Sequence, residues 1–269
     1  MLKVAVQGAA GRMGRMLVKQ IVENPETELS GATEYAGCPL VGQDAGTVAG
    51  IGETGIPITT DLDAVLDASD VIIAFNAAAP TMEMAPMAAA KGVGMVIGTT
   101  GLDAAQKDEL ARLAANGAKI VFSPNMSVGV NLLFALCAKV GRLLGDDYDI
   151  EIVEMHHNQK KDAPSGTAAR LGEILCEARG LDYTKDVRHG REGMPGARTR
   201  REIGMHSMRG GDVVGDHTVV FATGGERIEL THKASSRETF AKGAVRAALF
   251  LKDAASGLYD MQDVLGLKQ

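Results

Sequence analysis

The chain has 269 residues, 45% hydrophobic and 23% charged, enough for one large domain or two small ones and not the composition of a disordered or fibrous chain. Net charge is −6, from 28 Lys and Arg against 34 Asp and Glu, and aromatics are 4% with no Trp. Neither phosphate-backbone attraction nor base stacking is served by that balance, so no nucleic-acid partner is expected. The 33 glycines, about 12% against a usual ~7%, follow no three-residue period and read as tight turns and close backbone approaches.

Cys38, Cys137 and Cys176 are odd in number and far apart, with no CxxC pair. They predict no disulfide framework or zinc ribbon and point to a reducing cytosol. The N-terminal Met1 to Val6 lacks the apolar stretch and cleavage site of a signal peptide, and no apolar run approaches 18 residues. The expectation is a cytoplasmic protein with no membrane span.

In chain order, Leu2 to Val6 predicts a strand, Arg12 to Glu23 a helix stopped at Asn24-Pro25, and Glu28 to Thr33 a second strand. Leu62 to Ala68 reads as a short helix, Val71 to Phe75 as a strand buried on both faces, and Pro80 to Ala90 as a helix. Gly94 to Ile97 (strand), Asp103 to Asn116 (amphipathic helix) and Lys119 to Phe122 (strand) complete the alternation. Apolar strands alternating with helices predict right-handed parallel βαβ units. Beyond Pro124 the spacing predicts a long helix over Ser127 to Leu144, a strand over Asp149 to Met155, a polar Gly-rich stretch from His156 to Gly166, and a helix over Thr167 to Arg179. Residues 182 to 202 are charged and punctuated by Gly and Pro, and are expected to form a mobile loop. Asp216 to Ala222 and Arg227 to His232 predict a hairpin across Thr223-Gly224-Gly225-Glu226, before a last helix over Arg237 to Ala255. The fold class expected is α/β: a Rossmann-type doubly wound parallel sheet over residues 1–126, plus a second α+β domain with a mixed sheet over 127–236.

Gly8-Ala9-Ala10-Gly11-Arg12-Met13-Gly14 follows the first strand and opens the first helix. Its GxxGxxG spacing is a relative of GxGxxG, allowing a tight turn and letting a pyrophosphate approach the helix N-terminal amides. Alone it is equally a packing turn. Glu34, 20 residues after Gly14 at the end of the second strand, stands where a carboxylate accepts hydrogen bonds from the adenosine ribose, and the pair predicts dinucleotide binding. Phe75-Asn76, Gly98-Thr99-Thr100-Gly101 and Ser123-Pro124-Asn125-Met126 end strands of the same sheet, and together outline a place for a nicotinamide ring.

The densest chemical cluster runs from Glu154 to Thr167, EMHHNQKKDAPSGT. An isolated His pair is more often a solvated basic loop, and without Cys, HxxxH or HExxH it is a poor metal site, so no metal is expected. Here Ser165-Gly166-Thr167 opens a helix whose free amides attract a carboxylate or phosphate. Imidazoles, an ammonium and a helix N-terminus on one segment suit a small anionic substrate that needs a proton. His232-Lys233-Ala234-Ser235-Ser236-Arg237 is a second basic cluster, with Ser236 suited to capping and Lys233 and Arg237 to a substrate or a neighbouring subunit. His189, His206 and His217 have no partner legible in the sequence and are assigned to structure.

GAAGRMGR, VIGTTG, SPNMSVGVN, HHNQKKDAPSGTA and THKASSRETFAKGAVRAA together resemble the 4-hydroxy-tetrahydrodipicolinate (dihydrodipicolinate) reductase family of lysine and diaminopimelate biosynthesis, over essentially the whole chain. The HHxxKxDAPSGT block is specific to that family and absent from aspartate dehydrogenases of related architecture; the other alternative is a sensor that binds NAD(P) without turnover. The resemblance implies a homotetramer of two-domain subunits, with the C-terminal segment 237–269 returning to the first domain. It implies that His156 protonates the reduced carbon, that Lys160 is a second donor, and that His157, Gly166 and Thr167 bind the carboxylates of a cyclic imine. By the same resemblance the cofactor residues are Gly8, Ala9, Ala10, Gly11, Arg12, Met13, Glu34, Gly98, Thr99, Thr100, Phe122, Ser123, Pro124 and Asn125. Many relatives carry Arg directly after the ribose-binding acid, to meet the 2′-phosphate of NADPH. Tyr35 stands there, so NADH is expected to serve at least as well as NADPH. Ala74-Phe75-Asn76 replaces the family's frequent Asp-Phe-Thr or Asp-Phe-Ser, which predicts an adjusted pocket.

Overall fold

Each apolar run of the first half becomes a strand of one parallel sheet. In chain order the elements are β1 (Leu2–Gln7), α1 (Arg12–Glu23), β2 (Thr27–Thr33), α2 (Ala45–Ala49), β3 (Ile58–Thr59), α3 (Leu62–Asp67), β4 (Val71–Ala74), α4 (Ala78–Lys91), β5 (Gly94–Ile97), α5 (Ala104–Ala115) and β6 (Lys119–Phe122). The structure is a computed structural model describing residues 1–268. It divides into two units, Met1–Val128 with the chain from Glu238 onward, and Gly129–Arg237.

In the first unit the strands lie in the order β6-β5-β4-β1-β2-β3, all parallel. Successive side chains of a strand face opposite ways, so a sheet covered by helices on both sides needs apolar residues at every position. Val4, Val6, Val71 and Ile73 pack toward α1, while Ala5, Ile72 and Ala74 pack toward Met84, Leu110 and Leu113 of α4 and α5. The order in which strands are added reverses between β1 and β4, which makes the carboxyl ends of those strands the switch point where such sheets bind ligands.

The second unit contains α6 (Val128–Leu144), β7 (Asp149–His156), α7 (Gly166–Arg179), α8 (Tyr183–Asp186), β8 (Val187–His189), β9 (Ile203–Arg209), β10 (Gly215–Thr223) and β11 (Glu226–Ala234). Its mixed sheet has the order β11-β10-β7-β9-β8. β7 alternates in burial, and its Ile150 and Ile152 join Val130, Leu133, Phe134 and Cys137 of α6 and Leu171, Ile174 and Leu175 of α7 in one core. By length and composition Val128–Asp147 passes for a membrane span. One face of this helix is committed to that core, and Asn131, Lys139 and Arg142 interrupt it.

The segment 182–202 differs from the mobile loop expected of its composition. α8 and β8 lie within it, and β8 pairs parallel with β9, a strand the sequence did not announce. Arg191 binds Glu151 at 2.7 Å and Glu202 at 2.7 Å, and Arg198 binds Glu151 at 2.9 Å and Asp149 at 2.8 Å. Burial raises the pKa of Glu151, but Arg191, His206 and Arg198 outweigh it and hold the carboxyl at about 2. Charge that reads as solvation in the sequence is here ion pairing to strand β7. The hairpin is tighter than drawn: Thr223 pairs with Glu226, leaving Gly224-Gly225 as a two-residue turn.

From Glu238 the chain belongs to the first unit, with α9 (Glu238–Asp253), β12 (Gly257–Tyr259) and α10 (Met261–Val264). Ala241, Ala244, Val245 and Ala248 of α9 enter the core shared with α1, and β12 adds a parallel strand beside β6.

Candidate active site

In the first unit the candidate residues gather at the carboxyl edge of the parallel sheet. β1 ends at Gln7 and the chain turns at Gly8, whose φ of +80° is open to glycine at little cost. Gly8 and Ala9 donate to the Thr33 carbonyl at 2.9 and 3.1 Å, and Gly11 N donates to Gly8 O at 3.1 Å. A Cβ on Gly14 would stand 2.0 Å from Gly8 O and 2.7 Å from the Ala9 backbone, so no other residue lets the loop fold onto the helix. Gly11 at the N-cap of α1 supplies no capping side chain, and the first turn holds no acid. The amides of Arg12 and Met13 and the positive end of the helix dipole are therefore available to an anion. Glu34, just past β2, accepts from Ala10 N at 2.9 Å, which fastens the acid to the glycine loop. Gln7 Oε1 and Thr33 Oγ1 are buried at these strand ends with no hydrogen-bond partner among the described residues. A glycine cradle, an acid beside it and orphaned polar atoms beneath it fit a bound dinucleotide.

The neighbouring strand ends divide into anchors and exposed groups. Thr99 is 1% exposed and its hydroxyl meets Thr81 Oγ1 at 2.8 Å, while Thr81 donates to Asn76 Oδ1 at 2.6 Å. Asn76 thus ties the ends of β4 and β5 together. A Cβ on Gly98 would come within 2.3 Å of the Phe75 ring, so Gly98 admits that ring. Ser123 is buried and donates to the Asn125 carbonyl at 2.9 Å, while Phe122 is half-buried. Asn125 Oδ1 in turn accepts from Ser127 N at 2.9 Å. Thr100, Gly101 and Pro124 are the exposed members of these two turns.

In the second unit the candidate residues gather at the end of β7. Alternation along the strand puts Glu154 and His156 on the helix-covered face, where Glu154 is fully buried. Glu154 accepts from both guanidinium nitrogens of Arg209 at 2.9 Å, from Ser165 N at 3.1 Å, and meets His156 Nδ1 at 2.6 Å. Burial raises the Glu154 pKa, but Arg209 and His156 outweigh it and leave the carboxyl below its ordinary value. For His156 burial prevails over Glu154, and its pKa is lowered. Arg209 also donates to Asp162 O at 2.7 Å, which pins the loop between β7 and α7.

Lys160 pairs with Asp162 at 2.9 Å, and its charge holds the Asp162 carboxyl below the usual range. His157, half-buried, is fixed by a 2.7 Å bond from its N–H to Val213 O. Ser165 caps α7 by accepting from Ala168 N at 3.1 Å, and its Oγ lies 3.0 Å from His217 Nε2. A Cβ on Gly166 would meet nothing, so the space beside it at the start of α7 is clear, with Thr167 half-buried next to it. The β7 end and the α7 start therefore bring His156, His157, Lys160, Gly166 and Thr167 together.

Three further groups belong to this cluster that the sequence did not reveal. Glu154 stands in the motif, but only its burial shows it as a hub. Arg209 lies 55 residues from it in the chain. His217, assigned above to structure for want of a partner, packs edge-on to His156 with ring centroids 5.2 Å apart and is pushed by burial to a pKa of about 3. Its one legible signal was a position on a strand that alternates with apolar residues.

Residues 2–126 match the family described as "Dihydrodipicolinate reductase, N-terminus", and residues 129–265 match "Dihydrodipicolinate reductase, C-terminus". The chain is 53% identical over 268 residues to a 4-hydroxy-tetrahydrodipicolinate reductase of Hahella chejuensis, and 52% identical over 268 residues to one of Syntrophotalea carbinolica, each alignment covering 100% of both chains. Its fold is similar to that of a dipicolinate-bound dihydrodipicolinate reductase from Paenisporosarcina sp. TG-14, with a TM-score of 0.76 at 24% identity and 98% of each chain covered. With both halves of the chain matched and full-length relatives at this identity, the chain belongs to the dihydrodipicolinate reductase family.

Proposed function

We propose that the chain carries out the reaction its family is named for: NAD(P)H-dependent reduction of a cyclic, unsaturated imine dicarboxylate to tetrahydrodipicolinate, in lysine and diaminopimelate biosynthesis. The observation that carries this reading is the junction of β7 and α7, where a buried acid–histidine pair, an ammonium and a helix N-terminus converge. Bound in the glycine cradle, the dinucleotide supplies the hydride. The protein's residues supply the rest. Gly166 and Thr167 at the N-terminus of α7, with His157, bind the carboxylates through amides and dipole. Lys160 offers positive charge to the nitrogen that becomes electron-rich as hydride arrives. His156 donates the proton that completes the reduction. Asp162 holds Lys160 by an ion pair and restrains its position before substrate binds.

In the first unit, Gly8 to Met13 would receive the pyrophosphate and Glu34 the ribose, with Gly98 to Thr100 and Phe122 to Asn125 on the nicotinamide side. Tyr35 is 69% exposed and carries no charge, and Glu34 beside it repels a 2′-phosphate; Arg12 is the one cation of the loop. NADH therefore serves at least as well as NADPH. A kcat/KM for NADPH more than tenfold above that for NADH, about 1.4 kcal/mol, refutes this. We also assign the protein to the cytoplasm and to a homotetramer. In support of self-association, β11 is a nine-residue edge strand exposed along most of its length, with Ile228 39% exposed. An unpaired edge of that length seeks a partner. Light scattering on the purified protein tests the tetramer, and a monomer at micromolar concentration refutes it.

The deciding assay follows absorbance at 340 nm with NADH and with NADPH, the substrate being made in situ by the synthase that precedes this step. Synthase-dependent oxidation is expected, and Lys160→Ala and His156→Ala should each lower kcat by roughly 10²–10⁴-fold. Cofactor binding without turnover points instead to a sensor.

A further inference from the structure

A carboxylate buried beside a proton-donating imidazole can do more than fill space, because it decides which ring nitrogen gives up its proton. Glu154 is fully buried and its oxygens are all engaged: Arg209 at 2.9 Å on both, Ser165 N at 3.1 Å on Oε1, and His156 Nδ1 at 2.6 Å on Oε2. An ionised carboxylate can only accept, so His156 Nδ1 is the donor in the shortest of these bonds. The other ring nitrogen stands over Gly215: a Cβ there would lie 3.0 Å from Nε2, and glycine leaves the approach clear. His217 packs against the same ring from β10 and donates nothing to Nε2: its own Nε2 is engaged with Ser165 Oγ, and its Nδ1 has no hydrogen-bond partner among the described residues.

We propose that Glu154 is the positioning residue for His156: its carboxylate, clamped by Arg209, holds Nδ1–H and so makes the Nε2 proton the one delivered to substrate. The inference rests on the reading of His156 as the proton donor. When the imidazolium gives up its Nε2 proton, the ring is left as the Nδ1–H tautomer already bonded to Glu154, and neither group moves. The same carboxylate receives the Ser165 amide, so the donor and the first turn of α7 share one anchor. The groups facing His156 are Glu154 on its own strand, Arg209 from β9, His217 from β10, and Lys160 from the following loop. Glu154 favours the imidazolium, whereas Lys160 and Arg209 oppose it; of these charged neighbours Glu154 acts most strongly.

The test is the pH profile of Glu154→Gln, with the double variant Glu154→Gln/Arg209→Gln in case an unpaired Arg209 prevents folding. Loss of the carboxylate removes the group that sustains the imidazolium. The high-pH limb of kcat/KM should then move to lower pH by at least about 0.5 unit, with kcat at neutral pH falling about 10–100-fold and KM for the dinucleotide unchanged. A residue that merely fills the core would change stability and leave that limb in place. A folded variant with wild-type kcat and an unmoved limb overturns the proposal, provided His156→Gln is crippled. Should His156→Gln itself turn over normally, the proton-donor reading falls, and the proposal with it. If neither variant folds, ¹⁵N imidazole spectra of the wild-type protein above the His156 titration decide. Protonated Nδ1 supports the assignment and protonated Nε2 overturns it.

Discussion

Ser165 joins local and long-range order in one hydroxyl, and Ser165→Ala separates the costs. The Oγ accepts from Ala168 N at 3.1 Å as the N-cap of α7, a bond worth about 1 kcal/mol. It also meets His217 Nε2 at 3.0 Å, inside a core where His217 Nδ1 already lacks a partner among the described residues. Alanine would leave both ring nitrogens unpaired and buried, for a further ~1–3 kcal/mol. The sum is about 2–4 kcal/mol, or roughly 8–16 °C in the melting of a unit of about 100 residues. Ser165→Thr keeps the hydroxyl and serves as control. Because the amides proposed to receive the substrate carboxylate lie in the turn that Ser165 caps, KM for the imine should rise about tenfold while KM for NADH stays put. Calorimetry and steady-state kinetics at 340 nm read the two effects. A melting loss under 2 °C, or equal effects in the Thr control, would refute the account of Ser165 as cap and histidine partner.

His217 is pushed down to about 3 by burial, against an ordinary 6.5. The unfolded chain takes up its proton as pH falls through 6.5 while the folded chain does not, so stability is lost toward acid, at up to about 1.4 kcal/mol per pH unit. In His217→Gln, urea unfolding between pH 6.5 and 5 should show a shallower dependence on pH, and an identical slope speaks against a buried neutral ring. Gly14→Ala drives a Cβ to 2.0 Å from Gly8 O and should abolish NADH binding in titration calorimetry, while the second unit's unfolding stays as in wild type. Tyr35→Arg places a cation beside Glu34 and should raise the NADPH-to-NADH ratio of kcat/KM at least about fivefold, about 1 kcal/mol for one exposed charge pair; no change would show that the 2′-position is read elsewhere.

What the sequence determined by itself was whatever depends on neighbours along the chain. The βα alternation, the glycine loop with Glu34, and the block from His156 to Thr167 were legible because strand period, turn glycines and a helix cap are local. Arg12–Glu23, Gly94–Ile97 and Lys119–Phe122 appear in the structure with the bounds read from residue spacing alone. The tertiary structure decided what depends on residues far apart. β9 pairs in parallel with β7 and β8, and no hairpin turn or apolar run announced it. The arginines of 182–202 read as solvated until Glu151, 40 and 47 residues away, is found beneath them. Glu154 reads as one more acid in a polar motif until folding buries it and brings Arg209 and Ser165 to it, because a buried charge persists only where partners from other elements meet it. His217, called structural for lack of a neighbour, acquires His156 and Ser165 by the pairing of β10 with β7. Sequence spacing carries the identity of the candidate reacting groups, whereas the contacts that bear on their protonation exist only once β9 and β10 have paired with β7.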